Sequence, residues 1–188
     1  MPNIDPNDAR AKAWQLLCQY TKSESLRKHA LAVEAAMRQM AAKFAEDVEY
    51  WGLIGLLHDF DYEQFPDTHP KAGESILIER GYDRQFINSI LSHVDTAGVP
   101  RLSKLEQALF AVDELCGFVI AVALVRPSKK LADVTVKSVT KKMKDRAFAR
   151  QVSREDILRG SEALGLPLDE VIDYVIEALK RVAPELGL

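Results

Sequence analysis

The sequence is poor in the residues that mark several protein classes. It has two cysteines in 188 residues, Cys18 and Cys116, far apart and each within an apolar stretch. That count excludes a disulfide framework, and no Cys-x-x-Cys spacing offers a zinc finger. Nine glycines and eight prolines are too few for turn-rich β sandwiches or fibrous repeats. The apolar run from Gly117 to Val125 falls well short of the roughly 20 residues that span a bilayer. The opening residues, Met-Pro-Asn-Ile-Asp-Pro, are polar and carry no hydrophobic signal segment. A large excess of one charge is lacking too. The net charge of −3 makes no global electrostatic case for nucleic acid or an anionic membrane. These absences predict a cytoplasmic protein with no membrane and no clear nucleic-acid partner, and they leave the oligomeric state open.

What is present is the balance of a folded domain: 47% hydrophobic and 28% charged residues. Apolar residues recur at three-to-four spacing nearly everywhere, without strand alternation, so the predicted fold class is all-α. Helices are expected over Asp8–Tyr20, from the N-cap Ser23 through Phe44, and from Asp47 to His58. A polar and aromatic loop from Phe60 to Thr68 follows, broken by Pro66. Further helices are expected from Pro70 to Gly81, from Asp83 to about His93, and from Ser103 to just before Pro127. Lys129 to Arg150 then holds eight basic residues against two acids. Val136, Val139, Met143 and Ala147 mark an apolar stripe there, which predicts an amphipathic helix with Lys137, Lys141 and Lys144 on its solvated side. Two last helices, Arg154–Leu164 and Leu168–Val182, flank Gly165-Leu166-Pro167. The expected organisation is a helical core with its N-terminal helix over 1–126, and a helical C-terminal extension over 127–188 packed on that core.

The informative anomaly is where ionisable groups break the apolar stripes. His29 lies three residues after Leu26 and four before Val33, on the core face of its helix. His58 ends the next helix, four residues after Ile54, with Asp59 beside it. His93 follows Phe86 and Ile90 on one face, and Asp113 interrupts the most hydrophobic helix of the chain. A buried carboxylate without a partner costs several kcal/mol, so Asp113 needs a cation, a donor cluster or exposure. Taken singly, each histidine reads more simply as a hydrogen-bonded core residue. Taken together, metal coordination accounts for all of them, because imidazole and carboxylate are ligands that Mn²⁺, Fe²⁺, Ni²⁺ and Zn²⁺ accept.

The order His29, His58-Asp59, Asp113 resembles the HD superfamily of metal-dependent phosphohydrolases, whose signature is H…HD…D on an all-helical core. The context is similar as well: Lys28-His29-Ala30 inside a helix, Leu56-Leu57-His58-Asp59-Phe60 at a helix end, and Ala111-Val112-Asp113-Glu114-Leu115 in a later helix. The resemblance covers roughly Leu26 to Leu124. It implies an HD-domain helical bundle in which His29, His58, Asp59 and Asp113 bind a divalent metal. His69-Pro70-Lys71-Ala72-Gly73 resembles the HPxxG element of HDIG-type members, and Ser92-His93-Val94-Asp95 their later histidine element. In such members these histidines hold a second metal, so His69 and His93 join the expected ligand set. The cofactor implied is one or two divalent ions (Mn, Fe, Ni, Zn, Mg or Co). The chain departs from His-Asp-Ile-Gly-Lys, reading His58-Asp59-Phe60-Asp61-Tyr62, and lacks a Gly-Tyr-Pro segment, which points away from cyclic dinucleotide hydrolysis.

The activity implied is hydrolysis of a small phosphate ester, a monoester, a diester or a nucleotide, by metal-activated water. Asp59 is expected at the catalytic centre, with Asp61 and Glu63 as candidates for general base or water orientation. Lys71, Arg27 and Lys28 are candidate cations for the substrate phosphate. Two other classes share the ligand set: a di-iron oxygenase of HD type, and a non-enzymatic regulatory HD module stabilised by metal.

Overall fold

A computed structural model describes residues 6–188, and side chains from residue 8 onward. The polar stretch 1–5, part of the segment bearing on a signal sequence, lies outside the described residues. Among those described there is no strand, and the chain is an all-α bundle. Its helices are α1 (Pro6–Tyr20), α2 (Glu24–Phe44), α3 (Val48–Leu57), α4 (Lys71–Glu79), α5 (Arg84–Leu91) and α6 (Lys104–Leu124), followed by α7 (Val136–Met143), α8 (Arg154–Leu164), α9 (Leu168–Arg181) and α10 (Ala183–Leu186).

The starts follow side-chain caps that satisfy otherwise orphaned backbone donors. The Ser23 hydroxyl accepts from Leu26 N at 3.4 Å, Asp47 from Glu49 N and Tyr50 N at 3.0 Å each, and Asp83 from Phe86 N at 2.8 Å. Ser103 and Glu106 form a reciprocal capping box at α6.

The core is built around α2, α3 and α6, where Met37, Met40, Ile54, Leu57, Leu109 and Phe118 are fully buried. Gly55 lets α2 and α3 approach closely. A Cβ there would lie 2.8 Å from the Val33 carbonyl oxygen and 2.9 Å from Met37 Cγ. That approach fixes the spacing between His29 on α2 and His58 at the end of α3. Phe60, where HDIG members carry isoleucine, is fully buried and meets Tyr20 edge-on at 5.6 Å. The Thr21 hydroxyl donates to its carbonyl at 3.0 Å.

α6 is long and apolar enough to cross a membrane by length and composition alone. Most of it is buried, packed against α2, α8 and α9, which is the environment of a core helix. α8 and α9 therefore cover the core directly, α9 lying against α2 as well.

The basic segment is shorter as a helix than its apolar stripe predicts. α7 stops at Met143, and Ala147 lies exposed in the turns beyond it. Arg154 explains the stop: its guanidinium donates to the carbonyls of Met143, Asp145, Phe148, Ala149 and Val152, holding this stretch as a loop. Lys137, Lys141 and Lys144 are exposed.

Candidate metal centre

Six side chains from five places in the fold converge. His29 comes from the second turn of α2, His58 caps the C-terminus of α3, and Asp59 follows it. His69 precedes α4, His93 follows α5, and Asp113 sits mid-way along α6. They form two trios, His29–His58–Asp113 and Asp59–His69–His93, each with its ligand atoms within 4.8 Å of one another.

Asp59 joins the trios. Its Oδ1 lies 3.1 Å from both His69 Nε2 and His93 Nε2. Its Oδ2 lies 3.3 Å from His58 Nε2 and 4.0 Å from His29 Nε2. Asp113 Oδ1 closes the first trio, 2.9 Å from His29 Nε2 and 3.3 Å from His58 Nε2. Neighbouring residues on a helix diverge by about 100°, but the end of α3 relaxes that constraint, so His58 and Asp59 aim at one point.

The histidines are held with their Nε2 atoms inward. His58 Nδ1 donates to the Gly55 carbonyl at 2.8 Å, and His93 Nδ1 to the Ile90 carbonyl at 2.7 Å. His69 Nδ1 donates to Asp61 Oδ1 at 2.7 Å. Carbonyl and carboxylate oxygens only accept, so each of these Nδ1 atoms carries a hydrogen and each neutral ring offers its Nε2 lone pair to the centre. His58 Nε2 is buried without a hydrogen-bond partner. His69 Nε2 and His93 Nε2 face each other at 3.2 Å. Lone pairs at that separation beside a carboxylate call for a cation between them.

The charges say the same. Burial opposes protonation of His58, yet Asp59 and Asp113 outweigh it and hold its pKa well above the ordinary imidazole value. Burial likewise opposes the charge on His69, but Asp59 and Asp61 push its pKa up to about 9. Burial alone would raise the two aspartates; the surrounding imidazoles hold Asp59 and Asp113 well below the usual carboxylate range. The field thus strongly favours positive charge. Ligands at about 2.1 Å from one ion stand about 3.0–3.4 Å apart in octahedral or tetrahedral arrangement. The close contacts within each trio, 2.9–3.3 Å, match that spacing. Donor type, separation and charge all fit divalent metal.

The HD domain family model matches residues 26–116, a span that holds all six of these residues. Residues 26–116 form an HD domain. Its HD motif is His58-Asp59, with His29 and Asp113 completing the set on either side. No curated protein and no solved structure matches the chain.

Around the HD centre the other expected site residues divide. Asp61 is 1% exposed and both its oxygens are committed, Oδ1 to His69 and Oδ2 to Gly73 N at 2.8 Å. These contacts orient His69 and tie the turn to α4, and neither of them serves the general-base role expected from the sequence. Gly73 belongs to the same device. A Cβ there would stand 2.8 Å from Phe60 Cε1 and 3.1 Å from the Asp61 carboxyl, so the last residue of the HPxxG element lets the backbone reach Asp61. Glu63 is also reassigned: its Oε2 accepts from Lys22 N and Ser23 N at 2.7 and 2.9 Å, anchoring the start of α2. Arg27 donates through Nε to the Thr21 carbonyl and through Nη2 to the Cys18 carbonyl, joining the end of α1 to α2. Lys71 is exposed at the start of α4, and no bond among the described residues ties it to the centre. Lys28 lines a cavity beside His29 and pairs with Glu24 at 2.8 Å.

Two further side chains border the centre. Tyr62 stands 44% exposed with its ring edge-on to His69 at 5.4 Å, forming a rim at the place where HDIG members carry lysine. Arg101 donates to the His93 carbonyl at 3.3 Å while stacked on Phe110, 3.6 Å from ring centre. Tyr62 had a signal, the departure from His-Asp-Ile-Gly-Lys; Arg101 had none.

Proposed function

We propose that the chain is a metal-dependent hydrolase of phosphate esters. The observation that carries this reading is the placement of Asp59, which turns one oxygen to each trio and so suits a carboxylate shared between two ions. Divalent ions held there would supply a water of lowered pKa and neutralise charge on a phosphoryl group.

The chain's own residues provide the rest. His29, His58 and Asp113 would hold one ion, His69 and His93 the other, with Asp59 between. The Gly55 and Ile90 carbonyls and Asp61 fix the tautomers, so no ring needs to flip before binding. His58 and His93 are buried, whereas His29, Asp59 and Asp113 keep 21%, 24% and 18% of their side chains exposed. Substrate therefore approaches from the His29 side, where Lys28 is the neighbouring cation.

The test is turnover of p-nitrophenyl phosphate, bis-p-nitrophenyl phosphate and a nucleotide panel by protein loaded in turn with Mn²⁺, Co²⁺, Zn²⁺ and Mg²⁺. Metal-dependent release of phosphate or alcohol is expected. Full metal loading without hydrolysis of any ester, together with a mixed-valent di-iron signal in anaerobically purified protein, would replace this reading with oxygen chemistry.

A further inference from the structure

One glycine in a helix has no packing reason to be glycine. Gly52, Gly55, Gly73 and Gly160 each stand where a Cβ would come within 3.0 Å of a neighbouring element. Gly117, in the middle of α6, has nothing within 4 Å of that position. A glycine inside a helix is less stable than alanine there, because the unfolded chain has more freedom to lose. The chain forgoes that stability and keeps open space instead.

The space is part of a cavity. Asp113, Gly117, Ile120 and Leu124 recur at intervals of four, three and four, so they share one face of α6. The last three line a cavity of about 370 Å³ that reaches His29 and is also lined by Leu186 and Leu188. Its size suits a small organic group. Its polar side chains, Ser25, Lys28 and His29, stand together on α2, whereas the α6 face beyond Gly117 is apolar and ends at Leu124, 49% exposed. A nucleobase placed along Ile120 and Leu124 would find no side-chain hydrogen-bond partner on that face.

We propose that this cavity binds the organic group of the substrate, that the group is an apolar chain, and that Gly117 sets its size. The inference rests on the phosphate-ester reading and narrows it: the phosphoryl group lies at the metal centre, and an alkyl or similar apolar arm runs from Gly117 toward Leu124. At 1.5 Å per residue that path is about 10 Å long, room for a chain of about eight carbons.

The experiment is calorimetric binding of non-hydrolysable phosphonates to the metal-loaded full chain, comparing n-octylphosphonate with ethylphosphonate and with the phosphonate analogue of adenosine monophosphate. Octylphosphonate is expected to bind at least about tenfold more tightly than either, since each buried methylene favours binding by a factor of about four. Gly117→Leu is expected to reduce the octyl-to-ethyl ratio to near one. Gly117→Ala is expected to shrink it while raising the melting temperature by about 2–4 °C, as release of the glycine penalty predicts for a chain of this size. Equal binding of octyl and ethyl compounds, tighter binding of the adenosine analogue, or a Gly117→Ala variant of lower melting temperature would overturn the proposal. A chain-length preference without hydrolysis of any ester would leave the pocket standing and remove the hydrolase reading. Hydrolysis without chain-length preference would do the reverse.

Discussion

His69 Nε2 and His93 Nε2 face each other at 3.2 Å, with Asp59 Oδ1 at 3.1 Å from both. Each ring has already given its Nδ1 hydrogen to an acceptor outside the trio. Such a pair is tolerable only around a positive charge, a proton in the stripped chain and a metal ion in the loaded one.

Removing one ring should therefore empty one position without emptying the other. His93→Ala is expected to lower the metal content from two ions per chain to one, because His29, His58, Asp113 and the shared Asp59 are left intact. Elemental analysis after gel filtration checks this. Loss of both ions would show that the trios do not load separately.

Asp61 touches no expected substrate position, yet it orients His69. Asp61→Ala is expected to weaken the second ion by about 10–100-fold, the usual effect of losing a carboxylate behind a metal-bound histidine. Asp61→Asn, which keeps an acceptor for His69 Nδ1, should weaken it less. Competition with a chromophoric chelator measures both; equal affinities in all three proteins would show that Asp61 gives the second ion no support through His69.

Proton uptake by the stripped chain has a definite sign. His69 rises from its ordinary 6.5 to about 9 in the folded, metal-free chain, through Asp59 and Asp61 acting against burial. A raised folded pKa gives stability that is fully present below pH 6.5 and is lost as pH rises toward about 9. Urea midpoints of the stripped protein should fall across that window. With saturating metal the rings bind as neutral ligands and the fall should disappear.

Gly55 links the fold to the centre. Gly55→Ala would drive a Cβ against the Val33 carbonyl, a backbone atom that moves only if α2 and α3 separate. A loss of about 1–3 kcal/mol in urea denaturation is expected. Weaker metal binding should accompany it, since the same separation parts His29 from His58.

Much of this molecule is readable in its residues. The caps Ser23, Asp47, Asp83 and Ser103 open helices because their oxygens suit orphaned amides, a local effect that needs no tertiary knowledge. His29, His58, His93 and Asp113 are legible as polar interruptions of apolar stripes, whereas Asp59 and His69 are legible only through the resemblance to HD proteins. What fails to read is set by contacts across the chain. Asp61 and Glu63 lie two residues apart in one turn region, and only the fold decides that one turns inward to His69 and the other outward to Ser23. Arg27 stands beside a ligand in sequence but points back to the end of α1. Ala147 continues a helical stripe that Arg154, from beyond the segment, cuts short.

The central claim is a metal centre shared through Asp59. Its most direct measurement is the metal content of Asp59→Ala beside the unaltered protein, both purified without chelator and shown by circular dichroism to be folded. Two ions per chain are expected in the unaltered protein, with loss of both, and of any ester hydrolysis, in the variant. An Asp59→Ala protein that keeps its full complement of metal would contradict it.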